Sequence, residues 1–379
     1  MQKKHILLFL IIALILGSGF LLFKLFASSN KMSRDHKDLS TQTGNILDKF
    51  SFDALKKSID VDNSAKSLNQ ISASQTTSAA NGSYPHSVLY HIKNTGSIIE
   101  SNIETLKSNT LFSDPLSVIV SVMWSPDRHS AIHYVSKNYA AQFIYQDYIS
   151  GTSTILPFKA RSISFSSDGT KIAFFTISND ISSLFISKPD GTMARKIFQT
   201  RLLQTQLHWP SGEYIYFTSK NPNLETWDVF RTTLDGKLER ILTDKRELEI
   251  MLSKDGKHML YSALDDNGMH HLYSQNTSSM TVTNLALHGF ASRCVWSIDS
   301  IHIFCGIPAS ANSVNNAYEK ITAAHDIYAI DIKKLSHTTI FETGSQEPHI
   351  HIQNLFLSLQ EDYLFFINKF NGKLYSLRK

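Results

Sequence analysis

The chain has 379 residues, 42% of them hydrophobic and 18% charged, with 16 Gly and 9 Pro, a balance that excludes a disordered chain, a collagen-like fibre and a coiled coil. The whole formal charge of +4 sits in residues 1–66, with ten Lys/Arg against six Asp/Glu; residues 67–379 hold 27 of each sign. The bulk of the chain therefore has no implied basic face, and a nucleic-acid partner is not expected.

Ile6 to Phe23 is uncharged and apolar, with Lys3 and Lys4 before it and Lys24 after. Eighteen residues at a rise of about 1.5 Å cover roughly 27 Å, close to the hydrocarbon thickness of a bilayer. The sequence thus predicts residues 1–27 as a single transmembrane anchor in a bacterial-type inner membrane, with the rest of the chain on the periplasmic side. A cleaved signal peptide is the alternative, but its one candidate site, around Ala27-Ser28-Ser29, is flanked by Leu25 and Phe26. Residues 28–85 read as a linker. Ile46, Leu47, Phe50, Leu55 and Ile59 fall at helical spacing and suggest a short amphipathic helix. Asp62–Ser83 is rich in Ser, Thr, Asn, Gln and Ala, which reads as a flexible tether.

From residue 86 to 379 the pattern is short apolar strands separated by turn residues. The segments VMWSPDRHSAIHY, ISFSSDGTKIAFF, LHWPSGEYIYF, IMLSKDGKHMLY, CVWSIDSIHIF and LFLSLQEDYLFF repeat one unit. Their anchor residues are Trp124, Phe165, Trp209, Leu252, Trp296 and Leu357, spaced 41, 44, 43, 44 and 61 apart. Four of those intervals fit the length of one four-stranded propeller blade. The second half of the unit is clearest in Leu184–Phe198 and Val229–Thr243, each a hairpin with an Asp-Gly turn. Asp127, Asp168 and Asp255 in the turns read as structural, since such carboxylates bond backbone amides two residues on.

This unit resembles the β-propeller repeat of TolB-type, WD-like periplasmic proteins, also found in the propeller of prolyl-oligopeptidase-like enzymes. Ser125-Pro126-Asp127 after Trp124, Ser167-Asp168-Gly169 after Phe165, and Asp235-Gly236 followed by Arg240-Ile241-Leu242-Thr243 carry the likeness. The Trp209 copy is one residue short before Pro210, the Trp296 copy has Ile298 in place of Pro, and the Leu357 copy lacks the turn Gly. The expected fold is all-β, a six-bladed propeller. Seven blades are the alternative, if the N-terminal strands nucleate one of their own. The last copy shows three strands, so the ring needs a closing strand from Ser87–Ile92 or Ser97–Thr105.

No G-x-S-x-G elbow or hydrolase-sized segment occurs, and G-x-x-x-x-G-K-[ST], G-x-G-x-x-G and H-E-x-x-H are missing. His349 and His351, and His270 and His271, invite a metal reading. No carboxylate or cysteine joins either pair at a recognisable spacing, so no metal or cofactor is implied. Cys294 and Cys305 flank one hairpin turn nearly symmetrically and are equally readable as a disulfide or as small buried apolar residues. Pro308–Ala324 is a polar insertion of the length that often carries partner contacts. The functional expectation is a non-enzymatic, membrane-anchored propeller that binds another envelope protein as an interaction or scaffold component. The alternative is an enzyme or glycan binder using the central channel.

Overall fold

The computed structural model describes residues 68–379 apart from 106, 114–117, 138–139, 158, 222, 310–322 and 345–348. The strands among them are all antiparallel, and the one helical element is a 3-10 turn at Ala291–Arg293. β1 (Leu68–Gln70) stands apart and is placed below. Blade 1 is β2–β5 (Thr76–Asn81, Ser87–Ile92, Ser97–Asn102, Ser108–Ser113), and blade 2 is β6–β9 (Val118–Trp124, Ser130–Lys137, Ala140–Asp147, Ser153–Ile155). Blade 3 is β10–β13 (Ala160–Phe165, Ile172–Ser178, Ile181–Ser187, Arg195–Thr200).

The next seven strands hydrogen-bond into one sheet: β14–β20 (Leu203–His208, Tyr214–Asn221, Thr226–Thr233, Leu238–Leu252, His258–Leu264, His270–Asn276, Val282–His288). They are two blades sharing a strand. The N-terminal half of the 15-residue β17 pairs with β16 from Leu238 to Arg246, and its C-terminal half pairs with β18 from Arg246 to Leu252. One strand is thus the outer edge of blade 4 and the inner strand of blade 5. Blade 6 is β21–β24 (Cys294–Trp296, His302–Pro308, His325–Asp331, Ser336–Phe341). Blade 7 is β25–β27 (Ile352–Leu357, Tyr363–Asn368, Lys373–Arg378) with β1 as its outer strand.

Seven blades therefore replace the six expected from the repeat starts. The N-terminal strands build blade 1 in full. The ring is closed by β1, Leu68 opposite Leu377 and Gln70 opposite Tyr375, and not by Ser87–Ile92 or Ser97–Thr105, which are internal to blade 1. β1 and β2 also lie inside the stretch that reads as a tether, so the propeller starts before residue 86. The cause is local. Ser78, Ala79 and Ala80 of β2 are buried despite their small or polar side chains, and the Trp124 indole N–H from blade 2 donates to Ser78 Oγ at 3.0 Å. A large neighbour fills the volume that small residues leave. The expected anchor helix at 6–23 and the amphipathic helix at 46–59 lie outside the described residues.

Burial follows strand position. Second strands such as β11, β15 and β18 are nearly continuous apolar runs covered on both faces, while outer strands such as β5 and β9 are exposed. The core lies between blades: Phe175 meets Phe217 edge-on, and Phe217 stacks on Phe230 at 5.4 Å. Each such buried ring contributes about 1.5–3 kcal/mol. Register slips between first and second strands recur at Thr76/Ser78, Ile119/Ser121, Ala160/Ser162, Gln204/Leu207, Arg246/Glu249 and Gln353/Phe356. Such bulges increase the local twist of the strands that carry them.

Candidate functional site

Two faces follow from the strand order. One carries the turns between first and second and between third and fourth strands; the other carries the second-to-third connections and the crossings between blades.

On the turn face the repeat motif explains itself. Ser166 Oγ donates to Asp168 Oδ1 at 2.6 Å and accepts from Lys171 N at 3.0 Å. The same pattern links Ser125 to Asp127 and Ser130 N, Ser253 to Asp255 and His258 N, and Ser358 to Asp362 and Tyr363 N. Asp127, Asp168 and Asp255 thus each tie down their own turn through Oδ1. Among third-to-fourth strand turns, Gly236 has φ +93, and a Cβ there would lie 3.0 Å from Ile197 O, so glycine is required. Four first-to-second turns place a non-glycine residue at positive φ instead: His86, Arg128, Ser300 and Glu361.

The residue at the tip of each turn points outward. In blades 6, 7 and 1 it is apolar: Ile298 is 67% exposed, Leu359 57% and Tyr84 37%, and Pro85 and Pro126 continue the apolar arc. Singly exposed apolar residues are ordinary. These belong to turns tied to one another across blades. Glu361 of blade 7 accepts from Ser297 Oγ at 2.7 Å and from Ile298 N at 2.6 Å in blade 6. Asp362 lies 3.0 Å from His86 Nε2 in blade 1, whose Nδ1 is 2.7 Å from Glu104. The C-terminal Lys379 N donates to Asp362 O, and its amine lies over the Phe304 ring. Asp127, Asp299 and Asp362 add negative charge beside the apolar tips. Burial alone would raise the Asp299 carboxyl, but hydrogen bonds from His302 N, the His302 ring and Ile301 N outweigh it and bring it to about 2.

The opposite face holds buried histidines between blades. His325 and His351 stack with centroids 4.5 Å apart, and Arg293 Nη1 is 2.8 Å from His325 Nε2. Burial, with Arg293 and Lys369 adding to it, lowers His351 to about 4. His270 Nε2 is 3.0 Å from Glu247, and His271 Nε2 is 3.0 Å from Asp265. His349 is exposed, so the structure separates it from His351. Among the described residues, no group of three His, Cys, Asp or Glu is placed to hold a metal.

The anchors do not converge on one place. Phe165, Trp209, Leu252, Trp296 and Leu357 each sit in a different inter-blade core, and Trp124 bonds to Ser78. They hold blades together. Cys294 and Cys305 are register partners on β21 and β22, buried to 1% and 0% exposure, and their sulfurs are joined in a disulfide. Of the insertion, residues 310–322 lie outside the described residues; its ends meet where Ala309 N donates to Ala324 O at 2.9 Å.

Similar solved structures agree on the architecture. Oligogalacturonate lyase from Vibrio parahaemolyticus matches with a TM-score of 0.61 at 12% identity, covering 83% of this chain and 94% of that one. Oligogalacturonate lyase in complex with manganese gives 0.62 at 11%, covering 85% and 95%, and the RRP9 WD40 repeats give 0.57 at 10%, covering 85% and 99%. This chain is a β-propeller. No family model and no curated protein matches it.

Two expectations are corrected by these findings. The exclusion of enzymatic activity does not stand, because the similar structures include oligogalacturonate lyase, an enzyme on this fold, beside WD40 domains. At 11–12% identity that likeness shows the fold, and the fold hosts catalysis as well as binding. The periplasmic, single-pass placement is not supported either: among the described residues no helix is long and apolar enough to cross a membrane. The apolar run at 6–23 on which it rested lies outside them.

Proposed function

We propose that this propeller binds another protein on its turn face, at the arc formed by the tips of blades 6, 7, 1 and 2. The observation that carries the reading is the set Ile298, Leu359 and Tyr84, exposed on turns locked together by Glu361 and Asp362. Rigid turns hold apolar side chains in water at no further ordering cost on association, which is what a preorganised docking surface needs. The fitting partner segment carries apolar side chains flanked by Lys or Arg, to meet the carboxylates of Asp127, Asp299 and Asp362.

The test is a double charge substitution, Ile298→Asp with Leu359→Asp, in the full-length chain. Co-purification of a partner should fall by about tenfold or more, the loss typical of central apolar contacts, while the unfolding midpoint stays put because both side chains are already in water. An unchanged yield of partner would end this reading.

A further inference from the structure

Each of the three carboxylates beside the apolar tips of the turn face has a histidine next to it. Asp299 Oδ2 is 2.5 Å from His302 Nδ1 in blade 6, and Asp127 Oδ2 is 3.8 Å from His129 Nδ1 in blade 2. Asp362 Oδ2 is 3.0 Å from His86 Nε2 where blades 7 and 1 meet. Two of these rings face a second carboxylate through their other nitrogen. His86 Nδ1 lies 2.7 Å from Glu104, and His302 Nε2 lies 3.7 Å from Asp331. A neutral imidazole carries one N–H and an imidazolium two, so only the charged ring serves a carboxylate on each side. All three side chains reach water, His86 being 25% exposed, His302 45% and His129 54%.

The other charges around the rings are fixed over the span in which histidine changes charge, about pH 5 to 8. Burial alone would raise Asp362 and Asp127, but hydrogen bonds, led by those from Ser358 and Ser125, hold both below the ordinary carboxylate range. Asp299 stands at about 2, and the Lys334 and Lys333 amides lower Asp331. The cations nearby are Lys334, 3.4 Å from Asp331, Arg128, which donates to Ser125 O, and Lys379, whose backbone N bonds Asp362 O. Glu361 braces the Ile298 turn without a histidine, and Asp362 Oδ1 accepts from Ser358 Oγ at 2.6 Å. The tips therefore stay in place when the rings lose their protons, and the charge beside them changes.

We propose, resting on the docking reading above, that binding at the arc is linked to proton release from His86, His129 and His302. Charged rings offset Asp362, Asp127 and Asp299 and repel the Lys or Arg side chains of the partner. Neutral rings leave the three carboxylates to those cations. The rings are charged at low pH, so binding is weakest there and tightens as pH rises through the histidine range. Protons leave as the partner arrives, since the coupling is reciprocal. One unit charge about 6 Å from a cation in water changes affinity about threefold, so three change it roughly thirtyfold at low ionic strength.

The probe is a synthetic peptide, capped at both ends, with leucines set between lysines. It is titrated calorimetrically into the full-length chain at low, constant ionic strength. Binding should be about ten- to thirtyfold tighter at pH 7.5 than at pH 5.5. Buffers of different ionisation enthalpy at pH 6.5 should count roughly one to three protons released per peptide bound. The triple variant His86→Asn, His129→Asn and His302→Asn should bind at pH 5.5 about as the parent does at pH 7.5; Asn tolerates the positive φ of residue 86. Binding that is equal or tighter at pH 5.5, or that releases no proton, overturns the linkage. If that binding is still lost in Ile298→Asp with Leu359→Asp, the docking reading survives. A peptide that binds at neither pH, or binds that double variant as tightly as the parent, ends both. The pH dependence and the proton count are read in the unsubstituted protein, so they decide the matter even where the triple variant fails to fold.

Discussion

Ser72 offers a sharp test of how the ring is closed. Its side chain is 1% exposed and ties the chain just after β1 to the last strand of blade 7. Ser72 Oγ accepts from Leu374 N at 2.8 Å and from Thr76 Oγ1 at 3.1 Å, and donates to Ser74 O at 2.9 Å. Beside it Ile71 N donates to Leu374 O at 2.8 Å. Ser72→Ala strips the acceptor from the Leu374 N–H, on a residue with no solvent exposure. A buried unsatisfied donor costs about 1–3 kcal/mol. Thr76 can still donate to Ser74 O, so its loss adds little. The expected total is about 2 kcal/mol, seen as a lower urea midpoint at unchanged slope and a Tm lower by roughly 3 °C. Deleting Leu68–Gln70 should cost at least as much, because three ladder positions against β27 disappear. If Ser72→Ala stays within about 0.5 kcal/mol of the parent, closure does not run through this contact and the reasoning fails.

Protein prepared without reductant should show no alkylatable thiol by mass spectrometry. Replacing both cysteines by Ala should cost about 2–3 kcal/mol or less, as the loop closed spans only 11 residues and the ladder already holds its strands. Burial lowers His91 and His351 to about 4 while the unfolded chain keeps them near 6.5. Each therefore adds stability that is complete above about pH 6.5 and is lost as pH falls toward 4, at up to about 1.4 kcal/mol per pH unit, and His91→Gln should flatten that slope in urea titrations. Asp299, at about 2, should hold its turn until the pH drops below 4; His302 backbone amide exchange that accelerates near pH 5 would contradict this. Glu361→Ala should weaken partner binding by freeing the Ile298 turn, and full-strength binding by this variant would mean the bracing is irrelevant.

Six blades were legible because their anchors are bulky and end the inner strand. The seventh was not, because Asn81 occupies that position in β2, its Nδ2 donating to Leu357 O at 2.8 Å. A strand of small and polar residues reads as tether by composition. It is a core strand here because its neighbours supply the bulk. The 15-residue β17 likewise hides a blade boundary, since no turn marks the passage from blade 4 to blade 5. Of the docking arc, the sequence carried a trace in the motif departures. Ile298 stands where the repeat prefers Pro, and blade 7 has Glu361 at the positive-φ position that Gly169 and Gly256 fill in blades 3 and 5. The bonds that join those turns link residues 63 and 64 apart, and the Arg293–His325 pair is 32 apart. Such pairings exist only once the strands have paired and neighbouring blades have packed.

The central claim is that the turn face, and not the opposite one, meets a partner. Photo-crosslinking residues placed singly at Ile298 and Leu359 in the full-length chain test it directly. Leu224 serves as the control, being 62% exposed on the other face. Positions 298 and 359 should give one discrete adduct, absent at 224 and abolished at 298 by Leu359→Asp. Adducts of equal yield from 224, or none from the turn face, would contradict it.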